Sequence, residues 1–418
     1  MSLTKTALLT AAVALTTLGV RPPAALAEPG ASGTGGARGT DVRLDGSGEC
    51  TFPARPVKGR PWSLQRVLLD ELWQGTDKGK GIRVAVIDTG VDVKNPQLAQ
   101  AVDKAAGRDF LTKGKGGDPT VDEVGHGTKV AGIIAARPAA GTGFVGLAPN
   151  ATIIPIRQND ADSSGDSDTM ADAITYAVGQ GADVINISQD TTNPLSGTSA
   201  LADAVRKAIA RKVVVVASAG NDGLDGAVKN TYPAAFPGVL AVASSDRNNE
   251  RASFSQSGTF VGVAAPGVDI VSTVPGGGQC TDNGTSFSAP FVAGVAALLK
   301  EKHPDWTTAQ IVTQIEQTAE RVINGHDNFV GWGVVDPVRA VQESDVAAPA
   351  STPTPDDGPA DVPAPDVARF SLAETPAERD ERYATYALGV TATLITVITG
   401  AAVVARDLRR RRAKHLAE

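Results

Sequence analysis

Five short apolar runs, most of them rich in β-branched residues, recur through the middle of the chain at 84–87, 153–156, 184–187, 213–217 and 240–243. Most are continuously apolar rather than alternating, the pattern of strands buried on both faces of a parallel sheet. Between and after them, 128–136, 169–180, 200–211 and 288–302 carry apolar or small residues at helical spacing. Strand and helix in alternation predict an α/β sandwich with crossover helices. In such a sheet ligands gather beyond the carboxyl ends of the strands, so the residues just after each run are the ones to examine for chemistry.

At 418 residues the chain exceeds what one hydrophobic core usually organises, and its ends account for the excess. Lys5, an uncharged apolar run at 7–20 and the triplet Ala25-Leu26-Ala27 have the form of a secretory signal peptide, 1–27, cleaved after Ala27. The run is short for an uncleaved anchor. Residues 387–405 hold no charge and as a helix would reach about 28 Å, enough to cross hydrocarbon. Tyr383 and Tyr386 precede them, and Arg406, Arg409, Arg410, Arg411, Arg412 and Lys414 follow. Positive residues stay on the cytoplasmic side, so 406–418 are expected to be a cytoplasmic tail, with the body outside and the protein held in the cell membrane by one span. The segment 344–386 is a predicted linker, since 344–368 are rich in Pro, Ala and Asp, a composition that favours an extended tether. That leaves 28–61 as an N-terminal extension and 62–343 as the body that must carry the function.

The net charge of −7 is unevenly spread. The tail holds +4 and residues 1–27 hold +2, so 28–405 carry −13. A body this acidic argues against nucleic acid as a partner, because phosphate neutralisation requires clustered Lys and Arg. Two cysteines, Cys50 and Cys280, are too few for a disulfide scaffold or a thiolate metal site.

Only four histidines are present: His126, His303, His326 and His415. His415 falls in the tail, while His303 before Pro304 and His326 in a Gly-Asp loop have ordinary structural explanations. His126 is flanked by Gly125 and Gly127 and opens a helix of small and apolar residues. Asp88 directly follows a buried strand and precedes Thr89-Gly90, which projects its carboxylate from the carboxyl edge of the sheet. Ser286 lies in Gly284-Thr285-Ser286-Phe287-Ser288-Ala289-Pro290, at or beside a helix N-terminus whose N–H groups and dipole can stabilise an oxyanion. Pro290, tolerated in a first turn, supports that placement. Taken singly, each residue has a bland reading as a turn, a structural histidine or an N-cap.

Together they resemble the subtilisin-like serine proteases, the subtilases, in the chain order Asp, His, Ser. The resemblance rests on Val86-Ile87-Asp88-Thr89-Gly90-Val91, His126-Gly127-Thr128-Lys129-Val130-Ala131-Gly132 and Gly284 through Gly294, and it covers about 62–343. A fourth segment, Ser218-Ala219-Gly220-Asn221, looks like the family's oxyanion-hole motif. The resemblance implies a three-layer fold with a mainly parallel central sheet. It also implies Ser286 as nucleophile, His126 as general base, Asp88 as its orienting partner and Asn221 as oxyanion donor, with no cofactor. Substrate is expected to lie as an added strand near Ser188, Gln189, Ser218, Ala219 and Gly220. The chain departs from the usual Leu-Gly-Gly after Ser188, having Gln189-Asp190-Thr191 instead. No metal is expected: the loop at 138–144 offers almost no side-chain oxygen. Asp160, Asp162, Ser164 and Gly165 mimic the start of a calcium loop whose twelfth position would be Ala171.

Signal peptide, catalytic body, proline-rich linker, single span and arginine-rich tail together resemble the mycosins, the membrane-anchored proteases of actinobacterial type VII secretion. The short extension and Phe287 and Phe291, which replace the methionine and histidine common in other subtilases, agree with that. A bridge between Cys50 and Cys280 would clamp the extension near the cleft, with free thiols as the alternative. The resemblance implies polypeptide substrates and association with the secretion membrane complex. A broad-specificity surface subtilase and a mainly structural component of that complex are the competing readings.

Overall fold

The structure, a computed structural model, describes residues 41–42, 50–111, 117–160, 165–226, 228–345, 349–350, 352–355 and 374–415. The predicted signal peptide lies outside them, as do most of the extension before Cys50 and much of the linker. The chain divides into two units, 1–356 and 357–418.

In the first unit the strands are β1 (Asp41–Val42), β2 (Arg83–Asp88), β3 (Arg108–Asp109), β4 (Thr152–Arg157), β5 (Gly165–Asp166), β6 (Val184–Ile187), β7 (Val214–Ser218), β8 (Leu240–Ser245), β9 (Val261–Pro266), β10 (Ile270–Thr273) and β11 (Gln279–Asp282). The helices are α1 (Trp62–Arg66), α2 (Leu69–Leu72), α3 (His126–Ala135), α4 (Ser167–Gly179), α5 (Ala200–Ala210), α6 (Thr285–Lys302), α7 (Thr308–Gln317) and α8 (Pro337–Gln342). Seven strands form one sheet in the order β3-β4-β2-β6-β7-β8-β9, every neighbouring pair parallel.

Alternate side chains explain the layering. Val84 and Val86 of β2 face a core shared with α3 and α6, whereas Ala85 and Ile87 face one shared with α4 and α5. Successive residues of a strand point to opposite faces, and both faces of β2 are covered, which is why its sequence does not alternate. β2 sits between β4 and β6, so the chain reverses its direction of travel across the sheet at β2, and the crevice this creates lies beyond Asp88. Helix starts follow local chemistry: Asp166 caps α4 through Thr169 N (2.6 Å) and Ser199 caps α5 through Ala202 N (3.2 Å).

The predicted strands all exist, within a residue or two. The helix expected at 288–302 begins at Thr285. β9, β10, β11 and α7 were not anticipated; β9 reads Val-Gly-Val-Ala-Ala-Pro, whose small residues and Pro mask a buried strand.

In the second unit, α9 (Pro376–His415) contains the predicted span and is long and apolar enough to cross a membrane. Leu388, Val390, Leu394, Ile395, Val397 and Ile398 are exposed along it. The hydroxyls of Thr391, Thr393, Thr396 and Thr399 each donate to the carbonyl four residues earlier, which leaves no orphan donor for an apolar solvent to penalise.

Candidate active site

Asp88 ends β2 with its side chain fully buried. Its Oδ1 lies 2.7 Å from His126 Nδ1 and accepts from Thr89 N at 2.8 Å. An ionised carboxylate can only accept, so Nδ1 carries the proton and Nε2 is the basic nitrogen. Nε2 is buried and has no hydrogen-bond partner in the structure. Burial alone would lower the His126 pKa, but the charge of Asp88 and its hydrogen bond outweigh burial and hold it above the ordinary histidine value.

His126 is the first residue of α3, entered through Gly125 at φ 82°, a left-handed conformation that suits glycine. A Cβ at Gly127 would overlap Gly90 O, so only glycine lets α3 approach the end of β2 this closely. Thr89 Oγ1 accepts from Gly127 N (3.0 Å) and donates to Asp122 Oδ1 (2.8 Å). Asp122 also accepts from Gly125 N (2.8 Å) and from Thr128 N and Oγ1 (2.8 and 2.6 Å). It thereby ties α3 to the turn after Asp88 and places negative charge at the helix N-terminus. Burial pushes the Asp122 carboxyl above the usual range, against hydrogen bonds from Thr128, Thr89 and Gly125.

Ser286 is the second residue of α6, so its N–H is among the four that lack an intrahelical acceptor. The ring of Phe287 lies 5.2 Å from that of His126, centroid to centroid, which sets this end of α6 beside the imidazole. Ser286 Oγ donates to Ser188 O at 3.0 Å, so the Ser286–His126 hydrogen bond is not made in this conformation. Asn221 Oδ1 accepts from Thr285 N (2.9 Å) and Thr285 Oγ1 (3.0 Å). Only an oxygen can accept from a backbone N–H, which fixes the orientation of the carboxamide and makes Nδ2 its donor end.

The expectation for Pro290 is corrected. It is the sixth residue of α6, beyond the first turn, and its missing N–H deprives the Ser286 carbonyl of its helical donor. Ser188 Oγ supplies the replacement at 2.9 Å. Ser188, expected only on the substrate edge, is thus bonded to Ser286 through both its hydroxyl and its carbonyl.

Gln189 sends Nε2 to Ile87 O at 3.1 Å. Ser218 closes β7 and is buried. Ala219 O accepts from Thr231 Oγ1 (2.8 Å), and Gly220, at φ 102°, donates its N–H to Thr285 Oγ1 (3.2 Å). Cys50 and Cys280 form a disulfide. Beyond it the extension follows the β10–β11 hairpin, with Ala54 N on Gly277 O (3.0 Å) and Val57 N on Gln279 Oε1 (2.8 Å). Of the residues weighed for calcium, Asp162 and Ser164 lie outside the described residues, Gly165 is in β5 and Ala171 is in α4.

Two groups escaped the sequence reading. Asp122 had a signal in its position four residues before His126. Lys129 had another, a lone charge in an otherwise apolar helix; its Nζ lies 2.7 Å from Asp282 Oδ2, both side chains being almost fully buried.

Residues 79–333 match the subtilase family, peptidase S8, and the chain belongs to that family: it is a subtilisin-like serine endopeptidase with the family's α/β fold. It is 37% identical to subtilisin E of Bacillus subtilis over 283 residues, 68% of this chain and 71% of that protein. Among solved structures it is similar to MycP1 from the ESX-1 type VII secretion system, at 31% identity and a TM-score of 0.64, over 76% of this chain and 94% of that one. It is also similar to the MycP3 protease of the ESX-3 type VII system (32%, TM-score 0.61, 73% and 92%). MycP1 from Mycobacterium smegmatis matches at 30% identity, TM-score 0.63, over 81% and 94%.

Proposed function

We propose that this chain is a membrane-anchored, extracytoplasmic endopeptidase of the mycosin kind that processes proteins exported by a type VII system and associates with its membrane complex. Asp88, His126 and Ser286 form the triad in this reading, with Asn221 Nδ2 and the Ser286 N–H as oxyanion donors. One observation carries it: a buried Asp88–His126 pair at 2.7 Å with Nε2 unbonded, beside a serine at the start of a helix.

On substrate binding, Ser286 Oγ turns from Ser188 O to Nε2, attacks the scissile carbonyl and passes its proton to the imidazole. The new imidazolium is held by Asp88 and returns the proton to the leaving amine. Water, activated by the same nitrogen, then hydrolyses the acyl-enzyme. The neighbours described as type VII components, the apolar stretch 387–405 of α9 and the arginines that follow that stretch in the same helix support the membrane and secretion role.

The direct test is labelling of the full chain with a fluorophosphonate probe. Wild type is expected to label, with Ser286→Ala and His126→Ala silent; a folded wild type that stays unlabelled overturns the catalytic reading. Restoration of secretion by Ser286→Ala in a deletion strain would favour a mainly structural role in the complex.

The pH profile follows from the His126 environment. A protonated imidazole cannot accept the serine proton, so kcat/KM is expected to rise with pH through the His126 pKa, with a midpoint above 6.5. The positive charge of Lys129 pulls that pKa down, so Lys129→Met should move the midpoint up and Asp88→Asn should move it down. A pH–rate series on the three proteins checks both directions.

A further inference from the structure

Three carboxamides crowd the carboxyl end of β2. Gln158 N and Asn159 N both donate to Asp88 O (2.8 and 3.3 Å) from the β4 side, and Gln189 Nε2 donates to Ile87 O (3.1 Å) from the β6 side. All three side chains are 0–1% exposed. Gln158 Oε1, Gln189 Oε1 and both ends of the Asn159 amide nevertheless have no hydrogen-bond partner in the structure. An unmet buried polar atom forfeits the hydrogen bond it made to water, and four of them around one strand end call for an explanation.

The strand above them shows what form that partner takes. Gln158 Nε2 donates to Asp166 O of β5 (3.2 Å), and a Cβ at Gly165 would overlap Asn159 Oδ1 and Gln158 Nε2, so β5 lies directly on the Gln158 and Asn159 amides. The edge of β5 already accepts an antiparallel strand, β1 of the chain's own extension, in the register Asp41↔Asp166 and Val42↔Gly165. A backbone that adds to a strand edge offers alternate side chains to the surface beneath it.

We propose that Asn159, Gln158 and Gln189 are specificity-determining residues: they line a polar subsite beneath the β5 edge that receives a carboxamide side chain, Asn or Gln, from a substrate strand. This rests on the protease reading given above. The inventory selects the class. Of the three unmet acceptors and one unmet donor, an amide, which brings two donors and one acceptor, meets all but one acceptor. An aliphatic side chain would leave all four unmet, and sites built to hydrogen-bond a substrate reject analogues that cannot.

The test uses the full chain in detergent and a fluorogenic peptide series in which each position from P5 to P3′ carries Asn, Gln, Leu or Ala. At one position Asn or Gln is expected to exceed Leu in kcat/KM by about 10-fold or more, and Asn159→Leu with Gln189→Leu should invert that preference. A structural role for Asn159 predicts lost stability in Asn159→Leu, whereas an unpaired amide predicts an unchanged or higher melting temperature. The same peptides are titrated against Ser286→Ala by fluorescence anisotropy, so the subsite is read without catalysis. Val42→Pro, which removes an N–H from β1, serves as the chain with the edge opened. Preference in binding without hydrolysis by wild type would sink the protease reading and keep the subsite. Equal binding of Asn, Gln and Leu peptides at every position, in both the parent and the Val42→Pro chain, overturns the subsite and leaves buried water as the partner of these amides.

Discussion

Ser286→Ala is expected to lower kcat by about 10⁶-fold, the scale on which loss of the nucleophile acts in subtilisin, a relative of this chain. The size follows from the division of labour. The serine supplies the covalent route, and without it only binding and the oxyanion donors act on a water attack. In the proposed triad every step that His126 assists passes through the acyl-enzyme that Ser286 forms, so His126→Ala should cost about as much, and the double variant hardly more than either. Losses that multiplied in the double variant would show the two residues acting separately and would refute the triad. Asn221→Ala should fall far less, by about 10²–10³-fold, again the subtilisin scale for an oxyanion donor, and with KM little changed, because that hydrogen bond forms only as charge develops. Active-site titration beside each kcat measurement separates lost turnover from lost folding.

Much of this site was legible because its parts sit where strand and helix ends must fall. Asp88 closes a continuously apolar run, and His126 and Ser286 stand in the first turn of a helix; each position has an ordinary reading by itself, and it was the resemblance to the subtilases that joined the three into one candidate site. What the sequence could not reveal were contacts made across large separations by residues with ordinary local explanations. Ser188 reads as a residue after a strand, yet its hydroxyl replaces the helical donor that Pro290 removes, 98 residues away from the carbonyl it serves. Gln189 was expected near substrate only through the resemblance and Asn159 not at all, and it is the buried, unmet amide atoms of both that make them candidates for recognition. β9 was hidden for a different reason: glycine, alanine and proline can form a buried strand when β8 pairs one edge and the segment around Gly331 and Val334 bridges the other, but they carry little strand propensity of their own.

The second large effect is expected at Lys129 and Asp282, and it concerns stability. The pair joins the two segments that carry the proposed triad's His126 and Ser286, since Lys129 lies one turn after His126 in α3 and Asp282 ends β11 four residues before Ser286. Both side chains are nearly inaccessible, 7% and 3% exposed, so neither charge can fall back on water when its partner is removed. Asp282→Ala should therefore cost about 3–5 kcal/mol, the penalty for an uncompensated buried charge. Lys129→Met should cost less, because Asp282 keeps the N–H of Asn283 on Oδ1 at 2.9 Å. Replacing both, as Lys129→Met with Asp282→Leu, removes the two desolvation costs together and should return stability close to that of the parent. Urea denaturation of the four proteins measures the cycle. A cost below about 1 kcal/mol for Asp282→Ala would place the pair among solvated surface bridges and contradict its burial. If the double variant recovers stability but not kcat, the ion pair is retained for holding His126 and Ser286 in register, because the fold itself would then have been shown to do without it.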